Sequence, residues 1–419
     1  MGLAVATGWA VPALSGQQPQ SLPSLSFTRA GSGTSWLPDG AGPAHLHHVP
    51  ENRWRVTAHG TVFLHYLRTF GTRAGDQVGS VNWAMVQAAG PAGGADGLLR
   101  LRGMASAEPL TVTPRGYPDP LQVTAVYHGE AVTDRAHPER WLMELAALYE
   151  RRLPGTRGTA FSLYLAPVGE PALGPVGYEH RPSAAFEPGA PLGHHSQDET
   201  HARFGVATVG LFTRLLRLEA SAFNDRQPAH PGAVFAYHDA ALDAYAGRLT
   251  INPSASWSVS ASYGYLPASG GAHAHDAQHH WGIATLATHP ATTTNGGGRS
   301  WSLALVYGAT RPLGASRALP SLLGEATVAW SGGGAVFARV EYVRRTAAEL
   351  ALVGSVSPQV DVAAVSVGCA RRLWDVRGVT AGVGARETLL LVPGELVPFY
   401  GSRSPSAAAV YLRLSPSRS

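Results

Sequence analysis

Trp257-Ser258-Val259-Ser260-Ala261-Ser262-Tyr263-Gly264-Tyr265 carries an aromatic or aliphatic group at every odd position and serine or glycine at every even one. Side chains of a strand alternate between its two faces, so this run has one apolar face bounded by rings and one face of very small polar groups. A strand covered by protein on both sides is apolar throughout, and a soluble sandwich carries lysine and glutamate on its outer face. Neither description fits. Lipid-facing residues alternating with lumen-facing ones, with rings at the two interfaces, form the pattern of a membrane-spanning β-barrel strand.

Composition agrees. Charged residues make up 14% of the 419, against roughly 25% in soluble domains. Glycine (49) and proline (31) are abundant, as a chain with many turns requires. No stretch reaches the roughly 18 to 20 apolar residues of a transmembrane helix, so a closed barrel is the remaining way to satisfy every backbone group inside lipid. The net charge of +4 comes from scattered arginines and carries no nucleic-acid footprint. The single cysteine, Cys369, excludes an intramolecular disulfide and lies in phase with Val365 and Val367 as a small wall residue.

Gly2 to Leu14 is apolar, and Ala13-Leu14-Ser15 has the small-x-small form of a signal-peptidase site, although no positive residue precedes it. Residues 1–15 are therefore read as a truncated signal peptide, with a disordered mature terminus as the alternative. Residues 16–53, rich in Ser, Pro, Gly and His, are read as a flexible periplasmic tail, and 54–419 as the barrel.

From Trp54 onward, strand-like runs alternate with connections that are themselves alternately short and long. The long ones begin near Arg73, Ala105, Pro167, Arg226, Pro267, Ala309, Arg345 and Thr388. Short periplasmic turns and long extracellular loops are the rule in outer-membrane barrels. The count predicts a closed antiparallel transmembrane β-barrel of about sixteen strands with both termini periplasmic. It depends on Gln122 to His128 belonging to the second long loop; if that run crosses the membrane, eighteen strands follow.

Several strands can be assigned face by face. Leu99 and Leu101 are expected to face lipid and Arg100 and Arg102 the lumen; Leu216 and Leu218 lipid, Arg217 and Glu219 the lumen; Val336, Val340 and Tyr342 lipid, Arg339 and Glu341 the lumen. By the same reading Val81, Trp83 and Met85 face lipid while Ser80 and Asn82 point inward. A charged Arg or Lys on the lipid face costs about 2 to 4 kcal/mol at the midplane, which pins the phase wherever charges occur. Arg100, Arg102, Arg217, Glu219, Arg339 and Glu341 are thus the expected pore lining. Glu144 and Glu150 share an inward face as lumen polar groups.

The third long loop, from Pro167 to His201, exceeds the length at which loops are usually functional or disordered. In sixteen-stranded general porins the third loop folds inward and narrows the pore. Glu179, His180, Arg181, Asp198 and Glu199 are accordingly constriction candidates, a solvated surface loop being the alternative. Eighteen histidines cluster, and imidazole with nearby carboxylate suits Cu or Zn. The metal candidates are His194, His195 and His201 in this loop and His273, His275, His279 and His280 further on. An enzyme would need a nucleophile and acid-base set, and no Gly-x-Ser-x-Gly elbow stands out.

Gly174-Pro-Val-Gly-Tyr-Glu-His-Arg-Pro-Ser-Ala184, Ala190-Pro-Leu-Gly-His-His-Ser-Gln-Asp-Glu-Thr-His201, Gly247-Arg-Leu-Thr-Ile-Asn-Pro-Ser254, Ser260-Ala-Ser-Tyr-Gly-Tyr265 and Tyr400-Gly-Ser-Arg403 resemble a family of uncharacterised, porin-like bacterial outer-membrane β-barrel proteins. Glu139 stands where that pattern has a second histidine two residues after His137. The resemblance, which extends from about residue 80 onward, implies an outer-membrane barrel and supplies no substrate or catalytic residue. The leading expectation is a porin-like channel passing small hydrophilic solutes without covalent chemistry. The alternatives are a barrel platform whose His-rich loops bind transition metal, and a barrel hydrolase. Partners implied are outer-membrane lipid, the barrel assembly machinery and small solutes, with a homotrimer as the expected assembly.

Overall fold

The computed structural model describes residues 29–41, 46–48 and 54–417, apart from 95, 114, 128–129, 157, 199–201, 226–240, 270–274, 291–297 and 355. Nineteen strands follow in order: β1 Leu46–His48, β2 Arg55–Phe70, β3 Asp76–Pro91, β4 Gly97–Ala105, β5 Tyr117–Tyr127, β6 Glu130–Ala136, β7 Leu142–Arg152, β8 Ala160–Gly169, β9 Arg203–Phe212 and β10 Leu216–Asn224; then β11 Ala244–Ser254, β12 Trp257–Leu266, β13 Gln278–His289, β14 Arg299–Pro312, β15 Leu319–Trp330, β16 Gly334–Thr346, β17 Gln359–Val376, β18 Val379–Leu391 and β19 Ser406–Pro416. Every barrel neighbour is antiparallel, and β19 pairs with β2 (Tyr411 opposite His65), which closes the wall. Closure leaves no sheet edge in lipid. Sixteen strands make the barrel, with β1 added to the end of β2 as a three-residue pairing.

The run around Gln122 is not a wall strand. It lies in β5, which pairs only with β6 as a separate hairpin within the second long loop, and β4 pairs directly with β7. Sixteen rather than eighteen therefore holds.

Outer-phase side chains form the apolar band the alternation requires: Leu101, Leu218, Val340 and Val410 are all about half exposed. In β12, Trp257, Val259 and Tyr263 point out while Ser258 and Gly264 are buried inside. Cys369 is on the outer wall of β17. One assignment reverses. Val81 and Met85 are buried inside and Trp83 packs with Met85, Met104 and Met143, while Val78 and Val86 carry the outer phase of β3. Ser80 and Asn82 fall on the other phase and are covered by residues 106–112, whose Thr111 hydroxyl and Glu108 carboxylate accept from the Ser80 and Asn82 amides at 3.1 Å. The reversal has a local cause: β4 pairs with β3 only from Ala84 to Pro91, so the second loop takes the partner's place above it. The lumen beside β3 is packed with protein, where an apolar face gains burial.

That packing is general. The third loop, described over residues 170–198, runs inside the wall and carries the one-turn helix α1, His194–Gln197. Residues 29–41 also pack against the inner wall, although the sequence places them in a flexible tail: Trp36 meets Phe212 edge-on at 6.1 Å, Ser258 donates to the Trp36 carbonyl at 3.2 Å, and Asn252 donates to the Leu37 carbonyl at 2.9 Å. Trp36, Leu37 and Ala41 bury apolar surface that a free tail would leave in water. The very small inner face read from β12 finds its explanation here. A Cβ at Gly264 would lie 2.8 Å from Leu173, at Gly282 3.3 Å from Gly174, and at Gly308 1.8 Å from the Ser196 carbonyl. The wall is thin where the third loop leans on it.

Candidate functional site: a filled, charge-paired lumen

All six expected lining residues point inward: Arg100, Arg102, Arg217, Glu219, Arg339 and Glu341 are each between 1% and 6% exposed. Burial to this degree means that protein, not bulk water, covers them. Burying a charge without a partner is costly, and the partners are present. Arg102 reaches Glu144 at 2.6 Å, and Tyr164 donates to the same carboxylate at 2.7 Å. Glu150 lies between Arg100 (3.3 Å) and Arg217 (3.6 Å), and Glu219 between Arg217 (2.8 Å) and Arg248 (3.1 Å). This chain of alternating charge runs along the inner wall from β4 through β7 and β10 to β11. Residues 29–41 join it: Arg248 donates to Thr34 Oγ1 at 2.9 Å, and Arg102 donates to the carbonyls of Gly31 (3.3 Å) and Gly33.

A second network fastens the third loop to the opposite wall. Glu325 on β15 holds Arg181 of the loop at 2.7 Å, Arg339 of β16 at 3.1 Å, and accepts from Ser183 at 2.8 Å. Arg339 donates to the Gly189 carbonyl at 2.7 Å, Glu341 accepts from the Leu192 amide, and Arg386 of β18 pairs with Glu187 at 2.6 Å. Glu325, Arg248 and Arg386 belong to the inner phase of their strands, so alternation could have found them; Trp36, in an aperiodic stretch, left no such signal.

Of the constriction candidates, Arg181 anchors to Glu325, and His180 packs tilted against Trp83 (4.7 Å) and edge-on to His59 (5.6 Å). Asp198 binds His194 Nδ1 and lies 4.0 Å from Arg181. Glu179 neighbours Glu139 and Asp198; burial first, then these two carboxylates, raise it well above the ordinary carboxylate range. Glu108 is raised likewise by burial and by Glu139. Glu199 lies outside the described residues.

The metal candidates separate. His194 and His195 lie together on α1, His201 and His273 lie outside the described residues, and the rest are elsewhere: His275 pairs with Asp225 at 2.9 Å, His279 stacks on Tyr263 on the outer wall, and His280 is buried on the inner face of β13. The histidine brought to His194 and His195 is His137, from the second loop, with ring centroids 6.2 and 5.5 Å away. Burial lowers His137 to about 4; for His194 burial acts the same way, but Asp198 outweighs it and raises the ring.

Between the third loop and the short-turn end lies a cavity of about 360 Å³, lined among others by Trp83, His180, Arg181, Arg371, Arg372 and Arg413. No described helix is long and apolar enough to cross a membrane.

A closed sixteen-stranded wall, an apolar outer band and a charge-bearing inner face define a porin-type transmembrane β-barrel. The fold is similar to that of OmpF from Salmonella typhi (TM-score 0.53, 10% identity, 88% of this chain and 100% of that one). It is also similar to an anion-selective porin from Comamonas acidovorans (TM-score 0.51, 10% identity, 86% and 99%). No protein-family model and no curated protein matches the sequence.

Proposed function

We propose that this protein is a bacterial outer-membrane channel for small hydrophilic solutes, described here with its lumen closed by the third loop and residues 29–41. The supporting observation is the alternating Arg–Glu chain on the inner wall: it is a lining suited to polar cargo, and two of its arginines, Arg102 and Arg248, also donate to residues 29–41. Selectivity in such a pore follows from width and from the field of lining charges. The arginine-rich cavity at the short-turn end favours anionic solutes over cationic ones. Periplasmic termini, insertion by the barrel assembly machinery and trimeric assembly belong to the same proposal.

The test is single-channel recording in planar bilayers of the refolded chain and of a variant lacking residues 29–41. Brief, rare openings in the full chain and longer ones in the variant are expected. If both insert, verified by heat-modifiable gel migration, and both stay silent, the channel reading fails and the barrel is a platform for its loops.

A further inference from the structure

His137 comes from the second loop, between β6 and β7, and His194 and His195 from α1 in the third. One ring nitrogen of each lies within 4.8 Å of the others. We infer that these three imidazoles form a binding site for a divalent transition-metal ion of the Zn²⁺ or Cu²⁺ class, joining the second loop to the third.

Tautomer control supports this. A ligating imidazole normally sends its other ring N–H to a carboxylate or carbonyl, which fixes the ring and makes the ligating nitrogen a better donor. His194 Nδ1 meets the Asp198 carboxylate, and His137 Nδ1 meets the Pro138 carbonyl at 2.9 Å. Nε2 is then the donor that these two rings present. Asp198 itself is positioned by Arg181 and sets a buried carboxylate beside His194 that does not ligate the ion directly. Three nitrogens and no sulfur or carboxylate ligand favour Zn²⁺, Cu²⁺ or Ni²⁺ over Ca²⁺ and Mg²⁺. With metal–nitrogen bonds of about 2.0 to 2.1 Å, tetrahedral ligands sit roughly 3.4 Å apart, so ring nitrogens at most 4.8 Å apart draw in by no more than about 1.4 Å. His137 and His195 are partly exposed, while His194 is held at 3% exposure.

The site does not depend on whether the barrel conducts. Its test is calorimetric titration of the refolded full chain in detergent with Zn²⁺, alongside His137→Gln, His195→Gln, Asp198→Asn and the outer-wall control His279→Gln. One ion per chain is expected, with loss of affinity of about 10-fold or more in the two ligand variants, about 10- to 100-fold in Asp198→Asn, and no change in the control. Copper EPR of the unmodified chain provides a readout independent of whether the variants refold: hyperfine splitting from three nitrogens supports the site. Wild-type chain that binds no ion, titration of both ligand variants like wild type, or a copper spectrum without nitrogen coupling overturns it.

Discussion

Replacing Glu325 with glutamine tests whether buried electrostatics hold the third loop inside the wall. Glu325 is 2% exposed and is shared by Arg181 of the loop, Arg339 of the wall and Ser183 of the loop, with contacts of 2.7, 3.1 and 2.8 Å. The Ser183 hydrogen bond survives in Glu325→Gln, because the amide oxygen still accepts. The two guanidiniums lose their common counter-charge. Arg339 keeps the Gly189 carbonyl and Arg181 keeps Asp198 at 4.0 Å, so compensation is partial. Removing one partner of a buried pair costs about 3 to 5 kcal/mol. Charges here are released if the loop leaves, so most of that cost falls on the closed arrangement. At 1.36 kcal/mol per tenfold, a 3 kcal/mol effect raises the open-to-closed ratio by roughly 150-fold. Planar-bilayer recording should show open probability rising by about two orders of magnitude, with the heat-modifiable barrel still formed by β-strand pairing. Wild-type gating together with wild-type protease resistance of residues 170–198 would refute the claim that this network closes the lumen.

Other measurements bear on other parts of the molecule. Burial raises Glu170 to about 7, opposed by a Ser32 hydrogen bond and Arg248. The folded form therefore holds a proton that the unfolded chain releases near 4.5, and the resulting stability is full below that pH and lost as pH rises to about 7. It amounts to roughly 3 kcal/mol, a difference that Glu170→Gln should abolish in a comparison of denaturation at pH 4.5 and 7.5. Trp36→Ala, which removes the ring edge-on to Phe212 and beneath Arg29 at 4.5 Å, should cost about 3 to 5 kcal/mol of the packing of residues 29–41; trypsin cutting after Arg29 at the wild-type rate would contradict it. A nitroxide on Cys369 in liposomes should relax faster with dissolved oxygen than with an aqueous nickel chelate, and the opposite order would remove it from the lipid face.

Alternation in β12, the short–long rhythm of connections and the scarcity of charge were enough to derive a sixteen-stranded barrel, because lipid imposes a period of two on every strand and a single tolerable location for charge. The inward direction of Arg100, Arg217 and Arg339 was legible for the same reason. Where no charge marked the phase, as at Val81 to Met85, the reading went the wrong way, since apolar residues are equally at home in lipid and against a filled lumen. What fills that lumen was a matter of tertiary structure: the third loop's fit against Gly264, Gly282 and Gly308, and the docking of Trp36 in the wall, depend on shape across the barrel rather than on any local period. His137 joins His194 and His195 across 56 intervening residues, and histidine spacing along the chain carries no record of such a meeting. Local periodicity decided the wall; side-chain packing and charge pairing between distant segments decided whether it encloses water or protein.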